Sequence, residues 1–142
     1  MSREPTTPNL VELVRQAIDD SHRWDYDAIM RLFAPDVVWE SLDGLGTFEG
    51  ATAVRGFLED FPSAYESFET EPEEILDMGG GIIFAVIRHA GRLRGGAGRV
   101  EQRFAWVMAS KEELVVRVLA GMHIEQARAA AGRLAEERGR NG

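Results

Sequence analysis

An α+β domain is the fold class that this sequence predicts, and three observations predict it. Apolar residues recur at helical spacing over roughly the first sixty residues. Beyond them the period changes to alternation, in four runs longer than the usual five or six residues of a strand. Helical and extended patterns are segregated along the chain instead of interleaved, as a parallel α/β sheet would require.

Each element has its own justification. Asn9 with Glu12 forms a capping pair, and Leu10, Leu13, Val14, Ala17 and Ile18 follow at helical spacing, so a first helix is expected to end near Asp20. Asp25 is placed to accept from the free backbone donors of a second helix, whose apolar face is Tyr26, Ile29, Met30 and Phe33. Pro35 breaks that pattern. In FAPDVVWES a short strand over 37–41 then turns Trp39 and Ser41 to one side and Val38 and Glu40 to the other. GLGTFEG reads as turn and loop, and Val54, Phe57, Leu58 and Phe61 mark a third helix stopped by Pro62. Long strands are expected at roughly 66–77, 81–91, 99–109 and 113–124, with turns at GGG, GRLRGGAG and SKEE. A flexible 1–8 precedes a single domain over 9–126, and the Ala-, Glu- and Arg-rich ending is expected as a helical or disordered tail over 127–142.

Composition bounds the function. A chain of 142 residues suffices for one domain with a core of its own. It contains no cysteine, hence no disulfide, thiolate nucleophile or thiolate metal site. MSREPTTPNL carries no apolar signal segment and no run is long enough to span a bilayer, so a cytoplasmic protein with no membrane association is expected. Sixteen Lys and Arg against twenty-four Asp and Glu give a formal charge of −8, which argues against nucleic acid as a partner. Arg88, Arg92, Arg94, Arg99 and Arg103 do form a local basic run, but no aromatic is interleaved before Phe104. Residues 59–77 carry the opposite bias, eight acidic side chains and no basic one. The two runs are read as solvated faces with local ion pairing.

The order of elements and the stretch WDYDAIMRLFAPDVVWESLDGLGTFEGATAVRGFLEDF resemble the NTF2-like superfamily, in its SnoaL-like polyketide-cyclase branch, over about Leu10 to Gln126. The resemblance implies a cone-shaped, curved mixed β-sheet wrapped around three N-terminal helices and enclosing an apolar cavity, frequently in a dimer. It also assigns faces: Ile83, Ala85, Ile87 and His89, with Val100, Gln102, Phe104, Trp106 and Met108, would look into the cavity, as would Val116, Val118, Ala120 and Met122. Arg88, Glu101, Arg103, Arg117 and His123 would look outward. Outward Val107, Val115 and Leu119, mixed with Arg103 and Arg117, suggest a homodimer through the β-sheet face.

Superfamily chemistry does not transfer directly. The ketosteroid-isomerase pattern of base, tyrosine and donor aspartate falls on Ser41, Ala17 and Gln102; the epoxide-hydrolase pattern of two aspartates and an arginine falls on Val86, Arg88 and Gly121. For a cyclase-like protein an acid or base in an apolar cavity is implied, and His89 and Asp43 are the catalytic candidates. Trp39, Ser41, Gln102, Phe104, Trp106 and Val118 are the ligand-binding candidates, Gln102 as a neutral donor to a carbonyl. His22, His89 and His123 are well separated without a convincing cluster of carboxylates, and no glycine motif for a dinucleotide or phosphate is present, so no cofactor is expected. The expected partner is a small hydrophobic or aromatic carbonyl compound, turned over by a cofactor-independent cyclase, isomerase or dehydratase. The alternative is a noncatalytic ligand-binding or dimeric interaction domain.

Overall fold

The computed structural model of the chain describes residues 10–22, 25–44, 46–60, 63, 65–96 and 98–141, without the side chains of residues 21, 22, 140 and 141. The segment 1–8 expected to be flexible, the cap expected at Asn9 and the aromatic Phe61 therefore fall outside the described residues. The elements run α1 (Leu10–His22), α2 (Tyr26–Met30), β1 (Phe33–Ser41), β2 (Thr47–Glu49), α3 (Ala51–Asp60), β3 (Tyr65–Gly79), β4 (Ile82–Leu93), β5 (Arg99–Lys111), β6 (Leu114–Gly121) and α4 (Ile124–Asn141).

Asp25 caps α2 as its position predicts, its carboxylate accepting from the Ala28 N–H at 3.1 Å. The helix is shorter than its apolar pattern, stopping at Met30. Phe33 instead opens β1, because Ala34 precedes a proline and is pushed toward extended backbone. The GTFEG segment read as loop contains β2, which pairs antiparallel with β1. Gly50 ends that strand at φ +91°, a conformation that leaves its N–H bonded to the Val37 carbonyl at 2.7 Å while its own carbonyl starts α3.

The six strands form one sheet in the order β2-β1-β6-β5-β4-β3. It is mixed, since β1 and β6 run parallel and every other neighbouring pair antiparallel. Strand β3 is an edge, carries Pro72 and shifts register against β4 at three places. Between β5 and β6 the register slips at Ala109/Ser110, so Val115 turns into the inner core, whereas alternation alone had put it outside. Met122, expected inside, is exposed beyond the end of β6.

Two cores result, one on each side of the sheet. On the helix-bearing side, Val14 and Ile18 of α1, Ile29 of α2 and Val54 of α3 pack with Trp39, Ile83, Ala85, Ile87, Met108 and Val118. These strand residues are the set assigned inward by alternation. On the other side, Ile82, Phe84 and Val86 of β4 and Ala105, Val107 and Ala109 of β5 pack against Ala127, Ala130 and Ala131 of α4. Arg138 fastens the far end of α4, donating through Nη1 to the carbonyls of Gly80 at 3.0 Å and Ser110 at 2.6 Å. Arg128 lies 4.7 Å from the centre of the Phe84 ring and pairs with Glu74. Residues beyond 126 thus contribute to the core. Val107 and Leu119, read as the apolar centre of a dimer contact, are covered within the chain on the α4 side.

The charge runs resolve into local pairs on the outer face. Arg88 pairs with Glu71 and Glu101, Arg99 with Glu69, Arg103 with Glu73, and Arg117 with Glu40. Each is exposed and individually weak. Among the described residues no helix is long and apolar enough to cross a membrane.

Candidate functional site

Between the sheet and helices α1 to α3 lies a cavity of about 190 Å³. Trp39 and Ser41 reach it from β1, Phe48 from β2, Phe68 from β3, His89 from β4, Phe104 and Trp106 from β5, and Ala120 and Gly121 from β6. The helices supply Ala17, Tyr26, Ile29, Phe57 and Leu58, and the turn after β1 supplies Asp43. The period of two along each strand puts these side chains on one face, and curvature brings them around a common space. A dry apolar cavity of ~150 Å³ accepts benzene, so this one has room for a small ring compound. A second hollow, about 320 Å³ between α1 and β3, is lined by Glu12, Arg15, Gln16, Ile18, Asp19, Thr70 and Pro72 and offers no aromatic surface.

Aromatic contacts shape the main cavity. Trp39, only 5% exposed, meets Trp106 edge to face with ring centres 5.7 Å apart and Phe57 at 5.6 Å. Phe57 in turn stacks on Phe48 at 4.5 Å. At the other end His89 sits between Phe68 and Phe104, with ring centres 5.0 and 4.8 Å away.

Burial among these rings pushes the His89 imidazole from its ordinary 6.5 down to about 4. At neutral pH it is therefore an uncharged donor and acceptor, and a feeble base compared with the near-neutral exchanger expected from its type. A stability effect follows. Between about pH 6.5 and 4 the unfolded chain holds a proton on His89 that the fold does not. The stabilisation is complete above that window and is lost as the pH falls through it, by roughly 3 kcal/mol in total. Urea unfolding of the wild type and His89→Leu at about pH 7 and pH 4.5 should show their stability difference changing by roughly 2–3 kcal/mol. An identical difference at both pH values would refute the buried neutral imidazole.

Asp43 has one oxygen held by a hydrogen bond and one that is not. Its Oδ2 accepts from the Met122 N–H at 2.9 Å, and its own N–H donates to Ser41 Oγ at 3.1 Å. Oδ1 is buried and accepts no hydrogen bond among the described residues, with His123 Nε2 at 3.9 Å. Glycine at 121 permits this approach, since a Cβ there would lie 3.0 Å from Oδ1. Tyr26 adds a hydroxyl whose pKa is raised by burial and then by the Glu59 charge, which keeps it protonated.

Of the residues singled out from sequence, His89, Asp43, Trp39, Ser41, Phe104 and Trp106 border the cavity. Gln102 pairs in register with His89 and so shares its face, but lies outside the lining. Val118 is fully buried in the inner core, in register with Trp39 and Met108, and likewise does not border the space. Sequence reasoning took Tyr26 as helix core and did not consider Phe68 or the pairing of Asp43 with Gly121. Of the epoxide-hydrolase positions, Gly121 borders the cavity, whereas Val86 is packed in the core on the α4 side and Arg88 is in outer ion pairs. Among the described residues no group of three His, Asp or Glu is arranged to hold a metal ion.

Comparisons with known proteins follow this geometry. Residues 14–131 match the SnoaL-like domain. No curated protein matches the chain significantly. Among solved structures, an NTF2-like protein of unknown function from Burkholderia pseudomallei superposes with a TM-score of 0.72 at 21% identity, covering 84% of this chain and 95% of that one. TerC, co-crystallised with polyporic acid, gives 0.70 at 16% identity over 86% and 97%. An LEH-like epoxide hydrolase from M. tuberculosis gives 0.68 at 16% over 91% and 93%. At these identities the likeness establishes the fold, and reaction does not follow from fold. With the family match spanning most of its length and both sheet and cavity in place, the chain belongs to the SnoaL-like domain family.

Proposed function

We propose that the cavity takes up a small hydrophobic or aromatic carbonyl compound and that Asp43 removes a proton from the carbon beside the carbonyl. That step opens cofactor-independent cyclisation, isomerisation or dehydration. The observation that carries this reading is the Asp43 carboxylate, held through one oxygen by Met122 while the other is buried at the wall of an aromatic cavity. A base needs a lone pair facing the carbon proton, and Oδ1 is the carboxylate oxygen that holds no donor among the described residues. As the proton passes to Oδ1, the C–H electron pair becomes the C=C bond of an enolate and the negative charge moves to the substrate oxygen. Donors must meet that charge. The protonated Tyr26 hydroxyl and the uncharged His89 ring are the cavity groups with suitable chemistry. TerC, of similar fold, was crystallised with polyporic acid, which supports a cavity for a small organic molecule.

The test uses 2-acetonaphthalene as a probe, with calorimetry for binding and NMR in D₂O for exchange of its methyl protons. Exchange above the buffer rate that disappears in Asp43→Asn supports catalysis. Binding without exchange makes the protein a noncatalytic ligand-binding domain. Absence of both removes the reading.

Homodimerisation is a separate proposal. With α4 covering Val107 and Leu119, a contact through the outer sheet would use the open region around Arg103–Glu73 and Arg117–Glu40. Arg117→Glu should then weaken association in sedimentation runs, whereas a monomer mass at every concentration of the wild type argues against the contact.

A further inference from the structure

The proposed site has an electrostatic character that its carbonyl chemistry does not by itself require. Asp43 is the one formally charged side chain among the described residues lining the cavity, and no Lys or Arg joins it there. Arg55 is bound by Asp27 and Glu59, and Arg117 by Glu40 on the outer side of the sheet. The rest of the wall is dominated by aromatic rings, including the Trp39–Trp106 corner and the Phe48–Phe57 stack. Ring faces carry partial negative charge and attract cations. Among the described residues nothing in these surroundings neutralises a ligand anion.

We propose that this cavity selects its ligand by charge, admitting uncharged and ammonium-bearing aromatic molecules and rejecting carboxylates, with Asp43 setting the discrimination. The inference rests on the reading of the cavity as a ligand site but goes beyond it, since a carbonyl substrate can also carry an acid group. A ligand carboxylate placed here meets Asp43 across a short, poorly hydrated gap, where like charges repel far more strongly than in water. An ammonium group meets two attractions instead: the charge of the Asp43 carboxylate at the wall and the faces of the surrounding rings. Proton abstraction from a neutral substrate keeps the pair at one negative charge, on Asp43 before and on the enolate after. A substrate already anionic would require two.

Three probes of the same ring size separate the cases: 2-acetonaphthalene, 2-naphthoate and 2-(aminomethyl)naphthalene in its ammonium form. Calorimetry on the full chain at about pH 8 keeps imidazole charge out of the comparison. The expected result is that the ketone and the ammonium compound bind at least about ten-fold more tightly than naphthoate. In Asp43→Asn the naphthoate penalty should shrink to within about three-fold, because the isosteric amide keeps the shape and removes the charge. Naphthoate binding to the wild type as tightly as the ketone would overturn the charge selection while leaving the carbonyl reading intact. A penalty that persists in a folded Asp43→Asn, checked by circular dichroism, would overturn Asp43 as its source. Failure of all three probes to bind would overturn both.

Discussion

Replacing Asp43 with Asn is expected to slow proton exchange at the α-carbon of a bound aryl ketone by about 10²–10⁴-fold, the range a positioned general base contributes. The substitution is close to isosteric, so the amide oxygen can still accept from the Met122 N–H that now holds Oδ2. What disappears is the basic lone pair at the position of Oδ1. Binding of a neutral ketone should change little, because neither the aromatic wall nor the Tyr26 and His89 donors are altered. A rate loss without an affinity loss marks a group that acts in the transition state, and equal losses mark one that only positions the ligand. Calorimetry and exchange NMR on the same samples make that division, and exchange persisting at the wild-type rate in the Asn variant would remove Asp43 from the chemistry.

The second large effect lies on the opposite side of the sheet. Ala131 of α4 is fully buried in the cluster containing Ile82, Phe84, Val107 and Leu119. Ala129, two positions earlier, faces solvent. Ala131→Asp is expected to destabilise the protein by about 4 kcal/mol or more, since it places an unpaired carboxylate among apolar groups with no room for water. Ala129→Asp should cost about 1 kcal/mol or less, the ordinary propensity penalty of aspartate in a helix. Chemical denaturation of both variants gives the comparison directly, and similar small losses would mean that α4 is not docked on the sheet in solution.

The docking of α4 was written in the sequence, though not where the Ala-rich ending was read by itself. Parity grouped Ile83, Ala85 and Ile87 of β4 and Phe104 and Trp106 of β5, because a pleated strand has only two faces, and the resemblance turned both groups inward, where they lie. The same strands are also apolar at Ile82, Phe84, Val86, Ala105 and Val107, and a sheet apolar on both faces needs a cover on both. Residues 127, 130, 131, 134 and 135 supply it at helical spacing, but four of the five are alanines, whose small size gives a weak hydrophobic signal. The candidate site divides in a similar way. Trp39, His89, Phe104 and Trp106 followed from alternation together with the inward faces that the family resemblance implied. The tie from Asp43 to Met122, and the space left by Gly121, join segments nearly eighty positions apart and leave no local pattern. The slip at Ala109/Ser110 is equally silent, which is why Val115 was assigned to the wrong face.

Strand β3 is fifteen residues long and stands at the margin of the sheet. An unprotected margin of that length offers a row of backbone donors and acceptors to any passing chain. Here Pro72 removes one donor, and each of the three register shifts interrupts the straight ladder that an incoming strand would need. Charged side chains also line the segment, with Glu69, Glu71, Glu73 and Glu74 held in ion pairs by arginines of the neighbouring elements, and charge on a margin disfavours its pairing with another chain. The protein can thus keep a long strand, which carries Phe68 into the cavity wall, without becoming a template for ribbon growth and aggregation.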